Sequence, residues 1–342
     1  MSKYFCKFAG MKESAQSKLK SVAISNFKSI KSVTLSDCRR INVLIGRPNV
    51  GKSNILEALA LFDVPYMVNS SSKSLKNLIR VENTADLFHN GMSSDAIKIS
   101  ADNNDIAVSR SANNGLSVDI SVNGETAKYM FTSTLALSTK REPAVLPNIL
   151  AYFFPKHFVS ESSNIGFLLP PSGSNLMETV ANLPNLKAGL AELFHGYGLK
   201  MMFDSGSQEI KAMRENGLDM FLVPFNSLAD SLQRLIFYKA AIESNSNKVI
   251  CFEEPEAHTF PPYISNVVNS IIDNTDNQFF ITTHSPYVMN SLLESAGDDL
   301  AVFVIDMEDN ATVATRLTDS QLQEAYDNGM DMFYNIEAYL DR

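Results

Sequence analysis

The stretch VLIGRPNVGKSNILEAL, Val43 to Leu59, joins an apolar run to a turn that carries two glycines, a lysine and a serine. Apolar residues after the turn follow helical spacing, so the expected order is strand, turn and helix. The turn matches the pattern G-x-x-x-x-G-K-[ST], in which a loop holds phosphate groups at the N-terminus of a helix. The stretch therefore predicts a nucleotide-binding loop and not a simple connection.

Individual positions of this loop have separate predicted roles. Backbone N–H groups from Asn49 to Ser53 are expected to line a concavity that attracts phosphate oxygens. Lys52 is expected to reach the β- and γ-phosphates, and the Ser53 hydroxyl to ligate Mg²⁺. The residues predicted to bind the nucleotide are Gly46, Asn49, Val50, Gly51, Lys52, Ser53 and Asn54.

Two further apolar strands end in polar residues. KVICFEEPEAH places Glu253 and Glu254 at a strand end, and QFFITTHSPYVMN does the same for His284. Ligands of open α/β sheets bind outside the carboxyl ends of the strands, so these side chains are expected near the phosphate loop. Glu253 is predicted to hold Mg²⁺, Glu254 to orient or deprotonate the attacking water, and His284 to donate to the γ-phosphate. With Lys52, Glu254 and His284 form the predicted catalytic set.

The order of apolar runs predicts a nucleotide-binding core that is interrupted by an insertion. KSVAISNF, KSVTLSD and INVLIG precede the loop, while KVICF, QFFITTH, LAVFVID and ATVATRL follow later with helices between them. Alternation of this kind predicts a mainly parallel sheet that is covered on both faces. The expected division is 1–63 for the first half of the core, 64–225 for an inserted lobe with a β meander, and 226–342 for the second half.

The expected insertion contains both strands and helices. GLSVDIS and AKYMFT are predicted strands, with helical turns near residues 73–90. Residues 174–196 have a helical pattern that Pro184 breaks. LKMMFD, SQEIKAM and LDMFLV then predict an antiparallel meander.

Four segments together resemble a known family. SNFKSI, INVLIGRPNVGKSNILEAL, FEEPEAH and ITTHSP look like the RecF- and OLD-like branch of the ABC ATPases, over residues 1–63 and roughly 226–295. The resemblance implies an α/β fold: a P-loop ABC-type ATPase head with a mainly parallel core sheet, an antiparallel β part and an inserted helical or mixed lobe. It also implies ATP and Mg²⁺ as ligands, with two ATP molecules closed between two protomers.

The family's functional residues map onto this chain by position. Lys52 and Ser53 match the Walker A pair, and Glu253 matches the Walker B acid. Glu254 matches the catalytic glutamate, and His284 matches the switch histidine. These roles are what the resemblance implies for each residue.

The helix before the Walker B strand has two interpretations. The family's Ser-x-Gly signature is replaced by Ala229, Asp230 and Ser231 within NSLADSLQRLIFYKAAI. Ser227 and Asp230 form an S-x-x-D pattern, which predicts a capping box. The resemblance instead implies that the helix N-terminus and Ser231 face the γ-phosphate held by a partner protomer. Both interpretations stay open, because a cap and an anion site use the same N–H groups.

Composition and cysteine usage limit the class of protein. A chain of 342 residues that is 45% apolar and 20% charged is typical of a globular protein with a sizeable core. The N-terminal residues lack the apolar stretch of a signal peptide or membrane anchor, which predicts a cytoplasmic protein with no membrane partner. Cys6, Cys38 and Cys251 are too scattered for a disulfide framework or a thiolate metal site. All three are predicted to be free thiols, with Cys251 buried in a strand.

Charge is distributed unevenly around a net value of −9. Residues 1–60 carry eight Lys and three Arg against three acidic residues, a net charge of +8. Residues 270–342 carry fourteen acidic residues against two Arg, a net charge of −12. Solvated faces explain both regions, and an assembly surface or a footprint for nucleic acid is the alternative.

The motifs predict a cytoplasmic Mg²⁺-dependent ATPase. The family resemblance implies that its ATP-driven homodimer regulates a partner effector protein, in DNA repair or in defence against foreign DNA. Only 58 residues follow His284, fewer than the ~100 of a further nuclease domain, so no appended nuclease is expected. Two alternatives remain. One is a non-hydrolysing ATP sensor or scaffold, and the other is an ATPase that binds duplex DNA directly.

Overall fold

The structure is a computed structural model, and it describes residues 12–13, 18–68, 73–141, 145–161, 163, 165–217 and 219–340. Contacts between residues divide the chain into two compact units. The larger unit comprises residues 10–151, 247–254 and 275–342, and the smaller unit takes in the rest of the chain. The phosphate loop and the predicted strand-end residues all lie in the larger unit.

The strands of the described chain are, in order, β1 (Lys12–Glu13), β2 (Val22–Phe27), β3 (Ile30–Leu35), β4 (Ile41–Gly46), β5 (Ile97–Ala101), β6 (Asn104–Arg110), β7 (Leu116–Val122), β8 (Glu125–Phe131), β9 (Leu137–Arg141), β10 (Val145–Leu146), β11 (Ile149–Tyr152), β12 (Lys200–Asp204), β13 (Glu209–Asn216), β14 (Asp219–Pro224), β15 (Val249–Glu253), β16 (Gln278–Thr282), β17 (Leu300–Glu308) and β18 (Ala311–Arg316). The α-helices are α1 (Lys52–Ala60), α2 (Val64–Met67), α3 (Leu176–Ala181), α4 (Pro184–Gly196), α5 (Asp230–Ser244), α6 (Pro261–Asp273), α7 (Pro286–Ser295) and α8 (Asp319–Asp327).

A six-stranded sheet with the order β11, β15, β16, β4, β17, β18 forms the core of the larger unit. Strands β15, β16, β4 and β17 run parallel, and β18 pairs antiparallel with β17. Strand β4 is buried along its whole length, as expected for a continuous apolar run in a parallel sheet. In the register, Glu253 lies beside Thr282, which lies beside Leu44. The carboxyl ends of three strands therefore meet at one edge.

The second sheet of the larger unit is antiparallel and has seven strands in the order β3, β2, β5, β6, β7, β8, β9. Its strands alternate buried and more exposed residues, which is the pattern of a sheet with one covered face. Strand β5 pairs with β2, so the strands after the phosphate loop extend the sheet of the N-terminal hairpin. The expected lobe of 64–225 is thus divided: 64–151 lie in the larger unit, and 152–225 lie in the smaller unit.

Among its described residues, the smaller unit contains a three-stranded antiparallel meander and four α-helices. Strands β12, β13 and β14 form the meander, which confirms that prediction. Helix α3 ends before Pro184, and α4 begins with this proline in its first turn. The break follows because proline lacks the N–H that a helix interior needs but is tolerated at a helix start.

The capping box predicted from Ser227 and Asp230 is wrong. Helix α5 begins at Asp230, its N-cap is Ala229, and no side chain caps it. Ser227 ends a 3₁₀ turn instead. Asp230 lies inside the first helical turn, so its carboxylate reaches Arg234 one turn later, at 2.9 Å.

The described cysteines agree with the prediction of free thiols. Cys38 and Cys251 are free thiols, and Cys251 is buried in β15. Burial raises the pKa of the Cys38 thiol to about 12, with smaller effects from Asp102 and other neighbours. Cys6 lies outside the described residues. In the described part of the chain, no helix has the length and apolar character that a membrane span requires.

Candidate functional site

The backbone of the phosphate loop depends on glycine at two positions. Gly51 has φ 104°, and a Cβ there would lie 2.2 Å from the hydroxyl oxygen of Thr312. A Cβ on Gly46, where β4 ends, would lie 2.2 Å from the carbonyl oxygen of Ile305. Only glycine fits such close contacts, which is why the motif needs this residue at both ends of the loop.

Helix α1 follows the loop directly and packs against β4, β15 and β16. Gly51 is its N-cap, no side chain caps the helix, and its first turn contains no acidic residue. The first N–H groups of a helix and its dipole together attract anions. The start of α1 is therefore suited to hold a phosphate group.

Lys52 turns its ammonium group back onto the loop. Its Nζ donates to the carbonyl oxygens of Gly46, at 2.9 Å, and Arg47, at 2.7 Å. Burial lowers the pKa of Lys52 to about 8, although the carboxylate of Glu254 acts in the opposite direction. The side chain is thus held in a partly desolvated position where a negatively charged ligand would stabilise its protonated form.

Glu254 and His284 lie side by side at the ends of β15 and β16. Their Oε1 and Nε2 atoms are 3.5 Å apart. Burial and the charge of Lys52 lower the pKa of His284, while Glu254 raises it, and the net effect is a lowered value. The shift favours the neutral imidazole, which can donate one hydrogen bond. The structure thus brings Lys52, Glu254 and His284 together, as the strand order predicts.

The backbone of Glu254 has a left-handed conformation, with φ 40°. Its N–H donates to the carbonyl oxygen of Thr282, at 3.0 Å, in the neighbouring strand. Non-glycine residues in this conformation are strained and tend to occur at functional sites. The chain leaves β15 at Glu254, at the same edge as the phosphate loop.

Glu253 lies beside Glu254 but contacts a different partner. Its Oε1 accepts from the guanidinium of Arg80, at 2.5 Å. Glu253 and Ser53 provide a carboxylate and a hydroxyl, and Mg²⁺ prefers such oxygen donors from one or two protein groups together with phosphates and water. Among the residues that the structure describes, no group of three or more His, Cys, Asp or Glu forms a metal cage. The donor set therefore fits an ion that is completed by a nucleotide and water.

Two residues that the motifs did not single out support the loop from behind. Thr312 Oγ1 donates its one hydrogen to the carbonyl oxygen of Val50, at 2.9 Å. The Ser29 hydroxyl is therefore the donor in its hydrogen bond to Thr312, at 2.7 Å. The amide of Asn54 in turn donates to Ser29, at 2.7 Å. Asn54, predicted to bind nucleotide, is thus part of this chain of hydrogen bonds. Residues this far apart in sequence give no local signal of such a contact.

Ser231 lies in the smaller unit, in the first turn of α5. Its hydroxyl donates to the carbonyl oxygen of His258, at 3.1 Å, and accepts from the N–H of Phe260, at 3.0 Å. These bonds join the start of α5 to the segment before α6. A role of Ser231 in nucleotide binding stays a prediction.

Comparison with known protein families identifies the family of this chain. A family model described as an AAA ATPase domain matches residues 18–166 and 227–289, which is more than half of the chain. The chain belongs to this AAA ATPase domain family. The prediction of an ATPase is confirmed at the level of the family. The narrower RecF- and OLD-like branch stays a prediction.

Two curated proteins match short parts of this AAA ATPase. An "ATP/GTP phosphatase" of Helicobacter pylori is 35% identical over 63 residues, which cover 18% of this chain and 16% of that protein. An uncharacterized protein of Methanocaldococcus jannaschii is 43% identical over 47 residues, 14% of this chain and 22% of that protein. The matches thus span less than a quarter of the length of either relative.

A solved structure resembles the ATPase over most of its length. It is a crystal structure of an SmcHead bound to the C-winged helix domain of ScpA, with a TM-score of 0.50 and 14% sequence identity. The alignment covers 90% of this chain and 100% of that one. At this identity the similarity concerns the fold alone, a mixed α/β architecture with parallel and antiparallel sheets.

Proposed function

We propose that this chain binds Mg²⁺·ATP at the phosphate loop and hydrolyses it. The observation that carries the proposal is the meeting of Lys52, Glu254 and His284 at one edge of the parallel sheet. Glu254 and His284 lie 3.5 Å apart, and both interact electrostatically with Lys52. A cation for the phosphates, a carboxylate that can orient water and an imidazole that can donate a hydrogen bond are groups suited to phosphoryl transfer to water.

Each residue has a distinct proposed step. Lys52 leaves the carbonyl oxygens of Gly46 and Arg47 to bind the β- and γ-phosphates. Glu254 orients the attacking water and takes its proton, and His284 donates a hydrogen bond to the γ-phosphate. Ser53 and Glu253 hold Mg²⁺. When bound, Mg²⁺ neutralises charge on the phosphate oxygens.

The proposal includes regulation by assembly. ATP closes two copies of the chain into a homodimer, in which Ser231 and the N-terminus of α5 in one copy face the nucleotide of the other. The dimer controls a partner effector protein in the cytoplasm, in DNA repair or in defence against foreign DNA. The resemblance of motifs and the SmcHead-like fold support this part. The N-cap residue of α5 provides no side-chain cap, and the acidic residue in the first turn, Asp230, is paired with Arg234 at 2.9 Å.

Steady-state release of phosphate tests the proposed reaction. The wild-type protein should hydrolyse ATP in Mg²⁺ and stop in EDTA. Glu254→Gln keeps the shape of the side chain but loses the base, so we expect hydrolysis to fall by about 10²–10⁴-fold while ATP still binds. Glu294→Gln, an exposed change on α7, is the matched control and should leave the rate unchanged. Tight ATP binding without hydrolysis by the wild-type protein would instead favour the non-hydrolysing sensor.

A further inference from the structure

The guanidinium of Arg80 joins two carboxylates of the larger unit. Its Nε donates to Glu57 Oε1, at 2.6 Å, and its terminal nitrogen donates to Glu253 Oε1, at 2.5 Å. Arg80 lies between two 3₁₀ turns, Leu75–Asn77 and Thr84–Leu87, in a segment that carries none of the sequence motifs. A single side chain thus connects helix α1 with the end of strand β15.

Glu57 is a firm anchor for this connection. Its side chain is only 3% exposed, and its second oxygen is paired with the ammonium group of Lys28. Lys28 also donates to the backbone carbonyl oxygen of Arg80, at 2.6 Å. A buried carboxylate with two cationic partners has little freedom to move, because every departure leaves a charge unpaired. The position of Arg80 is therefore set by groups that lie away from the strand end.

The forked guanidinium group of arginine makes a bridge between two carboxylates possible. Two different nitrogens point to two different acceptors, a geometry that a single ammonium group does not offer. Burial alone would lower the pKa of Arg80, but its hydrogen bonds and charge interactions with Glu57 and Glu253 raise the value overall. The guanidinium accordingly stays charged at every physiological pH.

Glu57 also has a fixed relation to Ser53, the predicted hydroxyl ligand. The two residues are four positions apart on α1, so they lie on the same face, one turn from each other. Arg80 accordingly ties Glu253 to the same face of the helix that presents Ser53. The two predicted metal ligands, Ser53 and Glu253, come from distant parts of the sequence. Arg80 links Glu253 to helix α1, the helix that carries Ser53.

We propose that Arg80 is a positioning residue for Glu253. Its hydrogen bond holds one oxygen of the carboxylate and leaves the other for Mg²⁺. Partners of this kind orient metal-binding carboxylates, and their loss typically weakens metal affinity by about 10–100-fold. The inference rests on the proposed function, because it concerns the ion that Ser53 and Glu253 hold.

Titration of ATP binding against Mg²⁺ tests the assignment without relying on turnover. In Arg80→Gln, the Mg²⁺ concentration that gives half of the maximal enhancement of ATP binding should rise by about 10–100-fold. Binding of ATP in EDTA should stay unchanged, because Lys52 and the loop N–H groups are intact. In Arg80→Lys, which keeps the charge but loses the fork, we expect a smaller rise.

Lys76→Gln is the matched control, since Lys76 lies in the same segment and pairs only loosely with Glu82, at 3.5 Å. It removes the same charge and should leave the Mg²⁺ requirement unchanged. An unchanged requirement in Arg80→Gln overturns the inference, as does a lowered one, which would make Arg80 a competitor of the metal. Equal weakening in EDTA and in Mg²⁺ also overturns it, because that result indicates general damage. A wild-type protein that binds no ATP would instead refute the proposed function itself.

Discussion

The hydroxyl of Thr312 donates to the backbone carbonyl oxygen of Val50 inside the phosphate loop, at 2.9 Å. Thr312 is fully buried in β18, the antiparallel edge strand of the core sheet. Its backbone N–H also donates to the carbonyl oxygen of Ser29, at 3.0 Å, in the turn of the N-terminal hairpin. The loop is thus fixed from behind by two elements that contribute no part of its motif.

Replacing Thr312 by valine should weaken both folding and ATP binding. The change keeps the shape of the side chain but leaves the Val50 carbonyl without a donor and the Ser29 hydroxyl without an acceptor. We expect a loss of about 1–3 kcal/mol in the free energy of unfolding, the cost of an unsatisfied buried polar group. ATP affinity should fall as well, because the loop loses its support. Urea denaturation and a titration with a fluorescent ATP analogue measure the two effects.

Thr315→Val is the control, because Thr315 lies on the same strand with an exposed side chain. Thr312→Ser keeps the hydroxyl and should preserve most of the ATP affinity. Wild-type affinity in Thr312→Val would mean that the loop holds its shape without this hydrogen bond.

Features that depend on local pattern could be predicted from the sequence. The apolar run before Gly46 and the helical spacing after Lys52 placed β4 and α1 correctly, because strand and helix periodicity are properties of neighbouring residues. The same holds for β15 and β16, whose polar ends meet at the sheet edge. The meeting of Glu254 and His284 followed from one rule about parallel strands.

Features that depend on distant partners could not be predicted in this way. Arg80 and Glu253 are 173 positions apart, and Ser29 and Thr312 are 283 positions apart. A strand pattern likewise does not identify the neighbouring strand, so the sequence predicts β5 within an insertion although it extends the N-terminal sheet. Helix α8, by contrast, carries a local signal in the sequence, a capping box between Thr318 and Gln321.

The lowered pKa of Lys52 has a measurable consequence. With a pKa of about 8, roughly half of the Lys52 ammonium groups are neutral at pH 8 in the free protein. A bound triphosphate favours the charged form, so ATP binding at pH 8 should take up about half a proton. Uptake should decrease toward pH 6, where the group is already protonated. Calorimetry in buffers of different ionisation enthalpy measures the number of protons.

Two substitutions separate Lys52 from other groups that could take up protons. Lys52→Arg carries a permanent charge and should lose the uptake while it keeps part of the affinity. Lys52→Ala should abolish ATP binding and leave the fold intact, as judged by circular dichroism. Undiminished uptake in Lys52→Arg would assign the proton to another residue and contradict the prediction.

The buried carboxyl of Asp63 should make stability depend on pH. Burial raises its pKa well above the ordinary value, and the hydrogen bond from the Ala151 N–H only partly opposes this. The folded protein therefore keeps a proton that the unfolded chain releases above its ordinary pKa, so this group lowers stability as pH rises from about 4. The slope approaches ~1.4 kcal/mol per pH unit between the two pKa values.

Asp63→Asn removes this titration, so the variant should lose less stability than the wild type between pH 4 and pH 7. Urea denaturation at several pH values gives the two curves. Asp298→Asn, an exposed change, should leave the wild-type slope in place. Parallel curves for Asp63→Asn and the wild type would show that Asp63 titrates normally.

The last prediction joins the proposed base to the proposed assembly. Glu254→Gln should stop hydrolysis without disturbing the binding of Mg²⁺·ATP, since Lys52, Ser53 and Glu253 are unchanged. If the triphosphate bridges two copies through the start of α5, uncleaved nucleotide should hold them together by mass action. The variant should therefore be mainly monomeric without nucleotide and mainly dimeric with ATP and Mg²⁺, as measured by light scattering.

The double variant Glu254→Gln and Lys52→Ala is the control for this assembly, because it should bind no ATP and stay monomeric under all conditions. A single variant that binds ATP but stays monomeric would reject the bridging contact. It would also indicate that the hydrogen bonds of Ser231 to His258 and Phe260 serve only to shape the smaller unit. Full hydrolysis by Glu254→Gln would reject Glu254 as the base and direct the same test to His284, its neighbour at 3.5 Å.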